Sequence, residues 1–172
     1  MEERSEEMVA ELERHHSDSF GWALSCCDGD EAEAEDVLQT AYLKVLEGRA
    51  RFDGRSSLET WMFAVIRRTA AERRRKKAVR LAALLRWRDP GSPAMGADPE
   101  GRGRRSERSE ILLAALGKLS RRQREVLHLV FYQDLTIEEA SRVLAISLGT
   151  ARTHYERGKK RLRELLAETL ER

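Results

Sequence analysis

Cysteine, proline and long apolar runs are scarce in this 172-residue chain, and each scarcity closes off a class of protein. The two cysteines, Cys26 and Cys27, are adjacent. Neighbouring cysteines rarely bond to each other, so there is no disulfide framework, and a reduced, cytoplasmic setting is the simplest expectation. A zinc site from His15, His16, Cys26 and Cys27 would match no closed zinc spacing, so no metal and no other cofactor is expected. Apolar runs such as Leu81–Leu85 and Ile111–Leu116 stop at five and six residues. A bilayer span needs ~20, and no signal peptide is visible, so direct membrane insertion is not expected. The four histidines, two cysteines and scattered acids show no nucleophile–base or metal spacing, which argues against an enzyme.

What the chain does have is charge and helix formers. Charged residues make up 36% of it. Alanine, leucine, glutamate and arginine dominate and strand-type alternation is rare, which predicts an all-α fold. The charge is unevenly placed. Residues 1–36 hold thirteen acids and two arginines, a net of −11, so the remainder carries +13 of the overall +2. An acidic head on a basic body suggests two partner surfaces, with nucleic acid facing the basic one. All three prolines (Pro90, Pro93, Pro99) lie between Arg86 and Arg108, together with Gly91, Gly96, Gly101 and Gly103. That composition predicts a flexible, exposed linker over 86–108 between two small helical domains, 1–85 and 109–172. Each would be near the lower size limit for independent stability. Stretched out, ~20 linker residues span ~65–70 Å, close to two turns of duplex, so the lobes could occupy separate DNA elements.

In the first domain, residues 2–27 read as one or two helices interrupted near Gly21. Asp30 with Glu33 is a capping-box pattern opening a helix to about Glu47. Val37, Leu38, Ala41, Tyr42, Val45 and Leu46 form its apolar stripe. Ser56 with Glu59 is a second capping-box pattern, opening a long helix through about Leu85. Leu58, Trp61, Met62, Val65, Ile66 and Thr69 are its packing face. Beyond them come Arg67, Arg68, Arg73, Arg74, Arg75, Lys76 and Lys77, seven cations in eleven residues. They repel one another unless an anionic partner intervenes.

The second domain opens with a Leu/Ala-rich helix over 109–117, then a helix capped by Ser120 and Gln123. The clearest pattern follows. Thr136 and Glu139 make a capping box, and Ile137, Ala140, Val143 and Leu144 share one helical face. Ala145-Ile146 makes a tight turn, and Ser147 caps a second helix with apolar side Leu148, Ala151, Tyr155. Its other side carries Thr150, Arg152, Thr153, His154 and Arg157. Such a helix suits a major groove, where arginine takes guanine bidentately and threonine meets a thymine methyl or a phosphate. An ordinary helical hairpin with a solvated basic face is the competing reading.

These stretches together resemble bacterial sigma factors, specifically the two-domain extracytoplasmic-function (ECF) group. Residues 30–39, Asp-Glu-Ala-Glu-Ala-Glu-Asp-Val-Leu-Gln, are similar to the family segment that grips core RNA polymerase. The resemblance implies that Asp36, Gln39 and Tyr42 contact that enzyme. Residues 52–63, from Phe52-Asp53-Gly54 to Trp61-Met62-Phe63, resemble the stretch that opens and reads the −10 element, implying roles for Trp61, Arg67, Arg68, Arg73 and Arg74. Phe52, Trp61 and Phe63 are the aromatics on offer for stacking, although Trp61 also falls on the packing face. Residues 120–129 and 149–153 resemble the domain that reads the −35 element, implying Thr150, Arg152, Thr153, His154 and Arg157. The implied partners are core RNA polymerase, promoter DNA and an anti-sigma protein. The chain departs from the family pattern at Thr40, Ala64, Arg68, His154 and Glu156. Residues 119–158 also resemble response-regulator DNA-binding domains, which leaves a helix-turn-helix regulator acting without polymerase as the alternative. Residues 1–85, however, show neither the strands nor the acidic pocket of a phospho-receiver.

Overall fold

A computed structural model describes residues 2–86 and 107–170, and among them every regular element is a helix. The N-terminal lobe comprises α1 (Glu2–Arg14), α2 (His16–Cys26), α3 (Glu31–Leu46) and α4 (Leu58–Arg86). The C-terminal lobe comprises α5 (Glu107–Gly117), α6 (Arg121–Phe131), α7 (Ile137–Leu144) and α8 (Leu148–Leu170). Apart from its ends, the linker expected over 86–108 lies outside the described residues.

Local chemistry sets most helix starts. Ser120 and Thr136 each complete a reciprocal capping box, with Gln123 and Glu139 respectively, so two orphan backbone donors are satisfied at each start. At α3 only half of the expected box forms. The Asp30 side chain accepts from the Glu33 N–H, but the Glu33 carboxylate turns to Arg73 at 3.0 Å. At α4 the cap lies one residue later than the expected Ser56. Ser57 Oγ accepts from the Thr60 N–H at 3.1 Å and donates to Thr60 Oγ1 at 2.8 Å. Glu59 lies instead 3.8 Å from His15.

The apolar stripes pack much as their spacing dictates. Val37, Leu38, Ala41 and Val45 of α3 and Met62, Val65, Ile66 and Thr69 of α4 are buried. The α3 stripe is narrower than expected, because Leu46 is 48% exposed. Trp22 is fully buried, and its Nε1 donates to the Phe63 carbonyl at 2.9 Å. One polar bond thereby joins α2 to α4 inside the core, and burial of the indole adds about 2–3 kcal/mol.

The two lobes lie against each other: α6 packs on α2 and α7 on α4. Val126, Leu129, Leu135, Ala140, Val143 and Leu144 belong to the same buried cluster as Trp22, Val37, Phe63 and Ile66. Sharing a core is how two lobes this small raise the fraction of surface they bury. A separate cluster of Ala115, Leu119, Leu127 and Leu165 ties α5, α6 and α8 together. There α8 crosses α6 at the buried Gly158. A Cβ at that position would sit 3.1 Å from Gln123 Cβ and 3.2 Å from Leu127 Cδ1, so hydrogen alone lets the two helices approach this closely.

Candidate nucleic-acid interface

The unit α7–turn–α8 is a helix-turn-helix. Ala145 ends α7 in the left-handed region at φ 51°. The Ala145 and Ile146 N–H groups then close the helix onto the Arg142 and Ser141 carbonyls, both at 3.1 Å. Ser147 Oγ caps α8 by accepting from the Thr150 N–H at 3.1 Å. Ala151 is fully buried and Tyr155 packs against the core, as the spacing predicted, while Leu148 is half-buried. Tyr155 stacks on Phe131 at 5.9 Å, and Lys159 Nζ lies 4.7 Å over the Tyr155 ring. On the outer side Thr150, Arg152, Thr153 and Arg157 are exposed and His154 is half-buried. Thr153 Oγ1 donates to the Gly149 carbonyl at 2.9 Å. Glu156 pairs with Lys159 at 3.3 Å, which offsets the carboxylate that would otherwise repel phosphate on this helix.

The cations of α4 are arranged differently. Arg67 is largely buried, 3.4 Å from Glu125. Arg73 binds Glu33 at 3.0 Å and Asp36 at 2.8 Å. Hydrogen bonding to Glu33 raises its already high pKa, against a smaller opposing effect of burial. Arg74 donates to the Cys26 carbonyl at 3.2 Å. Burial, and then the nearby Arg121, lower its pKa. Arg68 is exposed. Of the three aromatics expected to be on offer, Phe63 is core, with no exposure. Phe52 and half-buried Trp61 pack together at the surface, ring centroids 5.4 Å apart.

On α3, Asp36 and Gln39 are exposed and Tyr42 is half-buried. The structure joins two expected sites here, since Asp36 is the ion-pair partner of Arg73. Tyr42 hydroxyl lies 3.3 Å from His16 Nδ1, and burial raises the phenol's pKa. Val9, Leu12, Glu13, His16, Tyr42 and Leu46 line a shallow groove beside it. His15 groups not with the cysteines but with Asp18 and Glu59, one ligand atom of each within 4.8 Å. Exposed carboxylates adopt such spacings without an ion.

Sequence reasoning missed the seam between the lobes. Glu125 is 3% exposed. Arg67, Arg121 and Arg122 approach it at 3.4, 3.2 and 3.1 Å. Arg121 also donates to the Cys26 carbonyl at 2.7 Å, and Arg124 pairs with Asp28 at 2.6 Å. Gln133 donates to the Asp18 carbonyl at 3.2 Å. His128 lies between Trp22 and Tyr132, 5.3 Å from each, and burial depresses its pKa to about 4. The pairs Arg121–Glu125 and Arg122–Glu125 were legible as helix spacings. The approach of Arg67, 58 positions away, was not.

Known proteins share this organisation. Residues 12–80 match the family model Sigma-70 region 2, and residues 109–162 match Sigma-70, region 4. The ECF RNA polymerase sigma factor SigX of Bacillus subtilis (strain 168) is 32% identical over 147 residues, 82% of this chain and 76% of that protein. The RNA polymerase sigma factor CarQ of Myxococcus xanthus is 31% identical over 141 residues, 80% of this chain and 76% of that one. The sigma factor RpoE of Bartonella quintana, solved in complex with the anti-sigma factor NepR, superposes with a TM-score of 0.73 at 25% identity, covering 94% of this chain and 97% of that one. A helical protein with these two regions in this order is a sigma-70-type transcription initiation factor. Within that class the chain belongs to the ECF sigma factors, the promoter-recognition subunits of RNA polymerase. A regulator acting without polymerase is not favoured, since residues 12–80 match region 2 as well as residues 109–162 matching region 4. No helix among the described residues is long and apolar enough to cross a membrane.

Proposed function

We propose that the work is divided among three helices. On this reading residues 1–85 form the polymerase-docking and −10 domain, 86–108 the tether, and 109–172 the −35 domain. Asp36, Gln39 and Tyr42 meet core polymerase, helped by the exposed Leu43 and Leu46 on the same helix. Trp61, with Arg67, Arg68, Arg73 and Arg74, handles the −10 element as it melts, stacking on bases and neutralising phosphates. Thr150, Arg152, Thr153, His154 and Arg157 read the −35 element. The protein makes and breaks no bonds of its own and works in the cytoplasm. An anti-sigma protein is its natural regulator, as NepR is the partner of RpoE in that complex.

The observation that carries this reading is the outer face of α8, where Arg152 and Arg157 stand exposed just beyond a capped helix start. Base-reading helices present such side chains from their first turns. Run-off transcription with purified bacterial core polymerase on a promoter library tests it. Addition of the chain should direct initiation to one class of promoter. Absence of any new start site would reject the proposal.

A further inference from the structure

We infer that Lys160 and Arg163 continue from Arg157 as a row of cations on α8 that grips the sugar–phosphate wall of the groove beyond the base-reading turns. This rests on the proposed reading of α8 as the −35 helix. The register of α8 places the row. Lys160 follows Thr153 by seven residues, two helical turns to within ~20°, so both point the same way. Arg157 and Arg163 lie three positions to either side of Lys160, where helical neighbours share a surface. Ala151, Gly158 and Leu165 form a buried heptad row on the opposite side. Whatever the first turns of α8 face, Lys160 and Arg163 therefore face as well. From Thr153 it is ~10 Å of helix to Lys160 and ~15 Å to Arg163. The major groove is ~12 Å wide and ~8.5 Å deep. A straight rod whose first turns touch base edges has left the groove floor over that length and runs beside the backbone. There phosphates are within reach of a long side chain and base edges are not.

The ion pairs of α8 keep that row clear. Residues 156–164 hold the acids Glu156 and Glu164 among the cations Arg157, Lys159, Lys160, Arg161 and Arg163. Both acids are drawn aside. Glu156 pairs with Lys159 at 3.3 Å, and Lys159 sits at the edge of the outer face, over the Tyr155 ring. Glu164 pairs with Arg161 at 3.3 Å, on the other edge. Between the two pairs stand Arg157, Lys160 and Arg163, exposed and without an ion pair among the described residues. With Glu156 and Lys159 they line a shallow, open hollow. Like charges three positions apart on a helix destabilise one another, and an anionic wall relieves that repulsion. Three such cations span ~9 Å of helix. One DNA strand carries a charge every ~3.4 Å of duplex axis, so the row is matched to roughly two or three phosphates. Such contacts fix the angle and register of the reading turns and carry no sequence information themselves.

Lys160→Gln and Arg163→Gln, singly and together in the full chain, test this. Both positions are exposed, and glutamine keeps the helix propensity of the residues it replaces. Fluorescence anisotropy with a fluorescein-labelled mixed-sequence 30-bp duplex, titrated over a series of potassium chloride concentrations, reads the dependence of affinity on salt. Selection from duplexes with a randomised centre reads base preference. Each substitution should flatten the log–log salt slope by about 0.9 and weaken binding by up to about eightfold at 0.1 M salt, the factor that slope gives between 0.1 and 1 M. The selected sequence should stay that of the wild type. Arg14→Gln takes the same charge from the exposed side of α1 and should leave the slope unchanged. An unchanged slope in the double variant overturns the row. So does a shifted base preference, which would make the two residues readers, and so does an equal flattening by Arg14→Gln, which would leave net charge as the whole cause. Run-off transcription with core polymerase separates this inference from the reading beneath it. Normal initiation with unchanged slopes removes the row alone. Flattened slopes in a chain that selects no sequence and directs no initiation remove the −35 reading instead.

Discussion

Two helices carry the cations proposed to meet nucleic acid, and the structure holds them in opposite conditions. On α8, Arg152 and Arg157 stand exposed, and the one nearby acid, Glu156, is paired with Lys159. On α4, Arg67, Arg73 and Arg74 each have an internal acceptor: Glu125, the Glu33–Asp36 pair and the Cys26 carbonyl. Positive charge along a helix is thus not the same as readiness to bind. Sequence counts cations, and availability depends on which acids and carbonyls the fold brings against them.

The sharpest way to break the contrast is to remove the side chain against which α4 packs. Trp22→Ala deletes the indole that bonds Phe63 and packs on His128. It should cost about 3–5 kcal/mol in urea unfolding, whereas exposed α8 positions such as Arg157→Ala should change stability by under ~0.5 kcal/mol. Acid should weaken the same seam. Folded His128 stays neutral down to about pH 4, while the unfolded chain protonates it near 6.5. Between those values the unfolded state binds more protons, so stability falls as pH drops from 6.5 towards 4, by about 3 kcal/mol in all from this group. Denaturant titrations of the wild type and of His128→Phe should diverge over that window, and parallel curves would acquit the imidazole.

The contrast is sharpened next by function. Arg152→Ala should weaken binding to the upstream element by ~1–3 kcal/mol and relax its base preference. In the free chain Arg67→Ala should not reduce DNA affinity, because its guanidinium is already occupied. A footprinting series on duplex probes would compare them. The smallest effect belongs to the turn. Ala145→Gly removes the strain of a left-handed alanine at some entropic cost, and calorimetry should find stability unchanged or raised by no more than ~1 kcal/mol.

Much of the fold was legible because its determinants are local. The capping boxes at Ser120 and Thr136 and the buried face of Ala140, Val143 and Leu144 follow from spacings of three and four residues. The cap of α4 was displaced by one because two serines adjoin, and only Ser57 meets the Thr60 N–H. The candidate recognition face was legible for the same local reason. What stayed hidden was long-range. Glu125 reads as one more surface acid until Arg67 arrives from 58 positions away. Trp22 follows the helix-weakening Gly21, and nothing nearby in sequence announces that it anchors α2 to α4. Phe63 looked available because it lies two residues from Trp61, yet helical rotation carries it inward.

Gly158 carries a consequence for fidelity of readout. α8 is a single rod: its first turns carry the side chains proposed to read DNA, and its middle rests on α6 at a contact too close for a methyl group to enter without displacing its neighbours. From there to Thr150 is eight residues, ~12 Å of helix. The crossing is a fulcrum, and a wedge of a few tenths of an ångström beneath it would swing the reading end through a comparable or larger arc. A position that never touches a base would then set the angle at which every base is met.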